Sequence, residues 1–237
     1  ETDLTAKAKR NPKRVVFAEA DTYKVLKAAE MALEEGIAKP ILLGKEHQIN
    51  QIIEDYNLEL PNCTIIDPRS DKEVKQREKF AEILHEKRKR RGLTFYEAKK
   101  MMRERNYYAS AMVETAMADV MISGITRSYK ETIRPALQVI GVEEGINKIA
   151  GMYILISKDG PIFFADTTIN INPTIEEIVD ITLLVARTVK EYKISPRIAM
   201  LSYSNFGSNE GEDAVKMREA VRILHKSHPD LIVDGEV

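Results

Sequence analysis

Apolar positions recur along the chain in two rhythms, short continuous runs and stripes at helical spacing. Residues 14–19 form such a run, with Val15, Val16 and Phe17, and predict a strand. Val25, Ala28, Ala29, Ala32 and Leu33 then recur at helical spacing, predicting a helix opened by Asp21 or Thr22 and stopped by Gly36. A strand at 40–43, a helix striped with Ile49, Ile52 and Ile53, and a strand at 64–66 follow. This alternation is the pattern of a parallel sheet wrapped by helices.

Beyond it the spacing predicts a long helix over 71–91 and another from Thr94, where Thr94 and Glu97 read as a capping box. An Ala- and Met-rich helix at 107–118 leads into a strand at 119–123 that ends in Gly124. A helix over 132–142 follows, with Pro135 in its first turn, where proline is tolerated. Residues 141–145 read as a hinge, giving one α/β subdomain at 1–141 and a second at 142–237. The second opens with a hairpin, 149–157 and 161–165, turned by Lys158-Asp159-Gly160. A helix over 174–192 carries a second capping box, Thr174 with Glu177, and its apolar residues cover enough of the circumference to pack on two sides. A strand at 197–201, a helix at 212–228 and a strand at 231–233 complete an α/β chain of two subdomains, with parallel or mixed sheets flanked by helices.

Three segments combine an element end with hydroxyl residues or positive charge, where open α/β sheets place their ligands. In 123–134, Gly124 allows a tight turn, Thr126 and Ser128 supply hydroxyls, and Arg127, Arg134 and a helix N-terminus attract an anion. The plain alternative is a hydrophilic loop with a capping serine and solvated arginines. In 201–208, Ser202, Ser204, Asn205, Gly207 and Ser208 make a turn whose N–H groups near Gly207 and Ser208 can form an anion nest, or simply cap the next helix. The run Lys87-Arg88-Lys89-Arg90-Arg91 reads first as cations complementing a helix C-terminus. Asp166, after an apolar strand, can hold an arginine or cap a turn.

Composition narrows the classes. The chain has 36 Lys plus Arg against 37 Asp plus Glu, so no general field attracts nucleic acid or an anionic membrane. No apolar run approaches a membrane span, and the lone Cys63 fits a reducing cytoplasm. The four histidines, His47, His85, His225 and His228, are scattered without zinc-type spacing, so no metal site is expected.

Taken in order, several stretches resemble the phosphate acetyltransferase family along nearly the whole chain. They are 124–128 with Thr132-Ile133-Arg134-Pro135-Ala136-Leu137-Gln138; Phe164-Ala165-Asp166 with Asn170-Ile171-Asn172-Pro173-Thr174; Ala199-Met200-Leu201-Ser202-Tyr203-Ser204; and Pro229-Asp230-Leu231 with Asp234-Gly235-Glu236. The resemblance implies two α/β subdomains of the isocitrate/isopropylmalate dehydrogenase-like architecture, with a cleft that moves an acetyl group between coenzyme A and phosphate. It places Arg88 and Arg134 near that cleft, and it implies a homo-oligomer.

Details resemble the C-terminal phosphotransacetylase-like domain of bacterial hybrid malic enzymes. Arg127 precedes Ser128 where active transferases commonly have His; Thr167 stands where they have Cys; and Ser204-Asn205-Phe206-Gly207-Ser208 replaces Ser-Thr-Lys-Gly-Ser. Loss of that lysine weakens phosphate binding. The family's Ser-Arg-Gly catalytic segment is expected beyond Glu236, so no catalytic residue is assigned. The first expectation is therefore an acetyl-CoA-sensing domain of an NADP-dependent malic enzyme, with acetyl-CoA or phosphate as ligand. NADP and a divalent metal would belong to an upstream domain that decarboxylates malate to pyruvate. The alternatives are a phosphate acetyltransferase and a scaffold that supplies only an oligomer interface.

Overall fold

The computed structural model describes residues 3–144, 146 and 148–237. Gly145, which ends the expected hinge, lies outside the described residues, as do Glu1, Thr2 and Asn147. The chain divides into two compact units, Glu1–Gly141 and Val142–Val237.

In the first unit, α1 (Asp3–Arg10) precedes β1 (Lys13–Phe17), α2 (Tyr23–Glu34), β2 (Ala38–Leu43), α3 (Glu46–Asp55) and β3 (Thr64–Ile66). Then come α4 (Val74–Arg88), α5 (Phe95–Met101), α6 (Arg105–Glu114), β4 (Val120–Ile122) and α7 (Tyr129–Val139). The four strands pair in parallel in the order β3-β2-β1-β4. β1 shows why its run is continuous rather than alternating. Val16 packs in one apolar cluster with Phe80, Leu84 and Tyr108, whereas Val15 and Phe17 pack in another with Leu26, Leu42 and Ile49. An interior strand of a parallel sheet is buried on both faces. The outer strands differ: Thr64, Val120 and Ile122 are exposed.

Two expectations are corrected here. The single helix over 71–91 is three pieces, with α4 flanked by one-turn 3-10 segments at Asp71–Glu73 and Lys89–Arg91. The last of these ends at Gly92, in left-handed backbone. The helix expected over 132–142 instead begins at Tyr129, because Ser128 and Glu131 form a capping box. Pro135 is therefore in the second turn, and the Glu131 carbonyl loses the helical N–H it would otherwise receive.

The second unit opens with β5 (Met152–Ser157) and β6 (Gly160–Ala165), an antiparallel hairpin. Gly160 pairs with Ser157, so the loop is only Lys158 and Asp159. Next come α8 (Ile175–Glu191), β7 (Arg197–Met200), α9 (Glu212–Ser227) and β8 (Ile232–Gly235). β7 and β8 pair in parallel. The core joins Ile178 and Val179 of α8 to Met200, Val221, Leu224 and Val233. The other side of α8, with Ile181, Val185 and Val189, lines a cavity of 760 Å³ bounded by β6 and β7. No helix among the described residues is long and apolar enough to cross a membrane.

Candidate functional site

The strand order of the first unit reverses between β1 and β4, and crevices at the carboxyl ends of such strands are where α/β sheets take ligands. The loop following β4 occupies this place. Its turn is held from inside by a residue that the sequence reading passed over. Glu19, two residues beyond β1, is only 3% exposed. Its Oε2 accepts the N–H groups of Gly124 and Ile125, each at 2.8 Å, and its Oε1 accepts the Thr126 N–H at 3.0 Å and the Thr126 hydroxyl. Burial alone would push this carboxyl up, but the Thr126 hydroxyl and the three N–H groups hold it below its ordinary value. Gly124, at φ +116°, supplies the left-handed backbone that brings these donors onto one carboxylate.

Beyond the turn, Ser128 caps α7: its oxygen faces the Glu131 N–H, and the Ser128 hydroxyl donates to Glu131 Oε2 at 2.8 Å. Arg127 and Arg134 are exposed and make no ion pair or hydrogen bond with a described residue. The Ser128 hydroxyl and N–H hold the Glu131 carboxyl below its ordinary value, and Arg127 and Arg134 add to this.

Arg88 is placed differently. Its Nε donates to the Gln138 carbonyl at 3.2 Å and its Nη2 to that of Leu137 at 2.6 Å. Lys87 Nζ donates to the carbonyls of Val139 at 2.6 Å and Ile140 at 3.2 Å. Together they satisfy the last carbonyls of α7, which helix geometry leaves without partners. The basic run thus complements a helix C-terminus, but two of its cations serve that of α7 rather than their own.

In the second unit, Asp166 caps a turn. Its carboxylate accepts N–H groups from Gly151 and Asn170, each at 2.7 Å, and from Thr168 and Ile169, each at 3.3 Å, as well as the Asn170 amide at 2.5 Å. Desolvation pushes its pKa up, yet the bonds from Asn170, Gly151 and Thr168 prevail and hold it low.

The nest expected at Gly207 and Ser208 is filled from inside, which corrects its reading as an open anion site. Glu236, fully buried after β8, accepts the Gly207 N–H at 2.7 Å and the Ser204 hydroxyl at 3.0 Å. Arg218 of α9 completes its shell, with Nε 3.1 Å from Oε2 and Nη2 3.2 Å from Oε1. Arg218, with the Gly207 N–H, holds the Glu236 carboxyl down to about 2. Ser204 is itself buried and also receives the Asn209 N–H. Ser202 Oγ accepts the Ser204 N–H, and Ser208 Oγ accepts that of Asn205. Neither Glu236 nor Arg218 was a sequence candidate. The usable signal was a carboxylate at the end of an apolar strand, the signal that did single out Asp166.

No group of three or more His, Cys, Asp or Glu able to hold a metal exists among the described residues. Nor, among them, does any buried side-chain nitrogen or oxygen lack a hydrogen-bond partner.

Comparison with known proteins agrees with this architecture. The chain is 34% identical over 97% of its length to a phosphate acetyltransferase of Clostridium acetobutylicum, 70% of which it covers. It is also 34% identical over 99% of its length to an NADP-dependent malic enzyme of Escherichia coli, but spans only 31% of that protein. Among solved structures, the EutD phosphotransacetylase from Staphylococcus aureus superposes with a TM-score of 0.84 at 28% identity, covering 99% of this chain and 71% of that one. A phosphotransacetylase from Streptococcus pyogenes gives 0.83 at 33%, covering 99% and 72%. The family model described as Phosphate acetyl/butaryl transferase matches residues 1–237, and with these relatives and this fold the chain belongs to the phosphotransacetylase family.

Proposed function

We propose that the chain carries the phosphate- and acyl-binding region of a phosphate acetyltransferase, which interconverts acetyl-CoA plus phosphate with acetyl phosphate plus coenzyme A. The observation that carries this reading is the pair Arg127 and Arg134, exposed at the strand-order reversal without an ion-pair partner among the described residues. Guanidinium groups left to solvent beside the N-terminus of α7 suit a phosphoryl group. In the transfer, the coenzyme A sulfur bonds to the acetyl carbon as the bond from that carbon to the phosphate oxygen breaks, and the thiol proton passes to the departing phosphate or to solvent. The residues described here bind and orient; no nucleophile or base is assigned among them. The relatives named phosphate acetyltransferase support the same reading.

The test uses the full-length polypeptide that contains this chain, supplied with acetyl phosphate and coenzyme A. Acetyl-CoA should form, and Arg134→Ala should raise KM for acetyl phosphate by about tenfold, the loss of roughly one charge-assisted contact. An unchanged KM would remove Arg134 from the site. A folded protein that binds neither acetyl phosphate nor acetyl-CoA would end the reading.

A second reading has support of its own in the malic enzyme relatives and in Thr167, Asn205 and Phe206, which resemble the malic enzyme forms. There the chain binds acetyl-CoA as a regulator, and NADP and a metal serve a separate domain. Acetyl-CoA binding without transfer, together with altered malate turnover, would select it. Either reading carries the family expectation of a cytoplasmic homo-oligomer.

A further inference from the structure

The Glu19 carboxylate sits where a phosphate would be expected. At the reversal of strand order, the N–H groups of a glycine turn ordinarily face outward to an anionic ligand. Here those of Gly124, Ile125 and Thr126 all point to Glu19, which is 3% exposed and pairs with no cation among the described residues. Among the described residues its negative charge is held by peptide N–H groups and one hydroxyl alone. Glu236 provides the contrast, since it accepts the Gly207 N–H and the Ser204 hydroxyl but is neutralised by Arg218. An uncompensated buried carboxylate is costly, and an apolar residue with an ordinary turn would close the same space more cheaply. Two consequences follow. A ligand phosphate cannot share the 124–126 N–H groups with Glu19, because like charges would meet at hydrogen-bond distance. The turn is also rigid, and the next two residues in the chain are Arg127 and Ser128.

We infer that Glu19 is a positioning residue: by occupying the turn's backbone donors it fixes Gly124–Thr126, leaves ligand phosphate to the side chains of Arg127 and Arg134, and so sets phosphate affinity rather than rate. This rests on the acyltransferase reading above. Glu19 touches no reacting atom; it acts through the turn.

Glu19→Gln tests the idea, because it keeps the volume but turns one oxygen into a donor facing other donors. In the full-length protein, KM for acetyl phosphate should rise about tenfold while kcat stays within about twofold, and the Gly124, Ile125 and Thr126 amides should exchange faster. A melting curve checks that the variant is folded. Faster exchange with unchanged KM would overturn the proposal by making Glu19 merely structural. Unchanged exchange would overturn it too, as would an equal fall in kcat at constant KM. If the wild type shows no turnover, it is the acyltransferase reading that has failed. Inorganic phosphate titrated against the Arg127 and Arg134 side-chain signals then replaces KM, with weaker binding in Glu19→Gln supporting the inference and equal binding overturning it.

Discussion

Glu19, Asp166 and Glu236 share one task at the residue scale: each holds a turn through a carboxylate, Glu19 and Asp166 by several backbone N–H groups and Glu236 by the Gly207 N–H and the Ser204 hydroxyl. At least five donor contacts from described residues converge on Asp166, whose two oxygens offer about four lone-pair directions. Asp166→Asn would keep the shape but set an amide N–H₂ against backbone N–H groups. It should cost roughly 1–3 kcal/mol of stability, read as a lower urea midpoint at unchanged slope. A midpoint within error of wild type would mean that these contacts are already shared with solvent. Asp166 was legible in the sequence because most of its partners, Thr168 to Asn170, lie within four residues of it, a local turn that a strand-end carboxylate announces; only the Gly151 N–H comes from across the hairpin. Glu19 was not, since the donors it collects stand more than a hundred positions away. Only the pairing of β1 with β4 brings them to it, and side-chain periodicity carries no information about which strands are neighbours.

Capping shows the same division at the scale of elements. The boxes at Thr94 and Thr174 were read from the sequence and are present. The equivalent box at Ser128 and Glu131 has the same spacing and lay equally open, but the proline at 135 drew the expected start of the helix too far along. The other end of α7 was out of reach of sequence reasoning, because its cap comes from another helix. Arg88, which the family resemblance places near a ligand, spends two of its nitrogens on the Leu137 and Gln138 carbonyls. Arg88→Met keeps much of the apolar stem but removes both bonds. It should destabilise the protein by roughly 1–3 kcal/mol and speed exchange of the amides in the last turn of α7. A variant that weakens ligand binding while leaving this turn protected would instead put Arg88 in the site and make its helix contacts incidental.

For the whole molecule, alternating runs and stripes were enough to read an α/β chain, and a continuous run at Val15, Val16 and Phe17 suits a strand covered on both sides, as β1 is. The reversal that places β4 beside β1 has no local signature, and with it went the filling of the 124–126 turn by Glu19. That filling makes stability depend on acid in a specific way. The Glu19, Asp166 and Glu236 carboxyls are all held below their ordinary values in the folded chain. A depressed folded pKa means that the unfolded chain takes up the proton first. Each group therefore contributes stability that is complete above its unfolded value and is lost as pH falls through the folded one. For Glu236 the window runs from 4.5, its ordinary value, down to about 2. The urea midpoint should thus be nearly flat for this group from about pH 7 down to that upper limit and then fall. Glu236→Gln has no proton to gain, so it should start less stable near neutrality and descend less steeply through the same window. Parallel wild-type and variant profiles there would mean that Arg218 and the Gly207 turn do not hold a charged Glu236 after all.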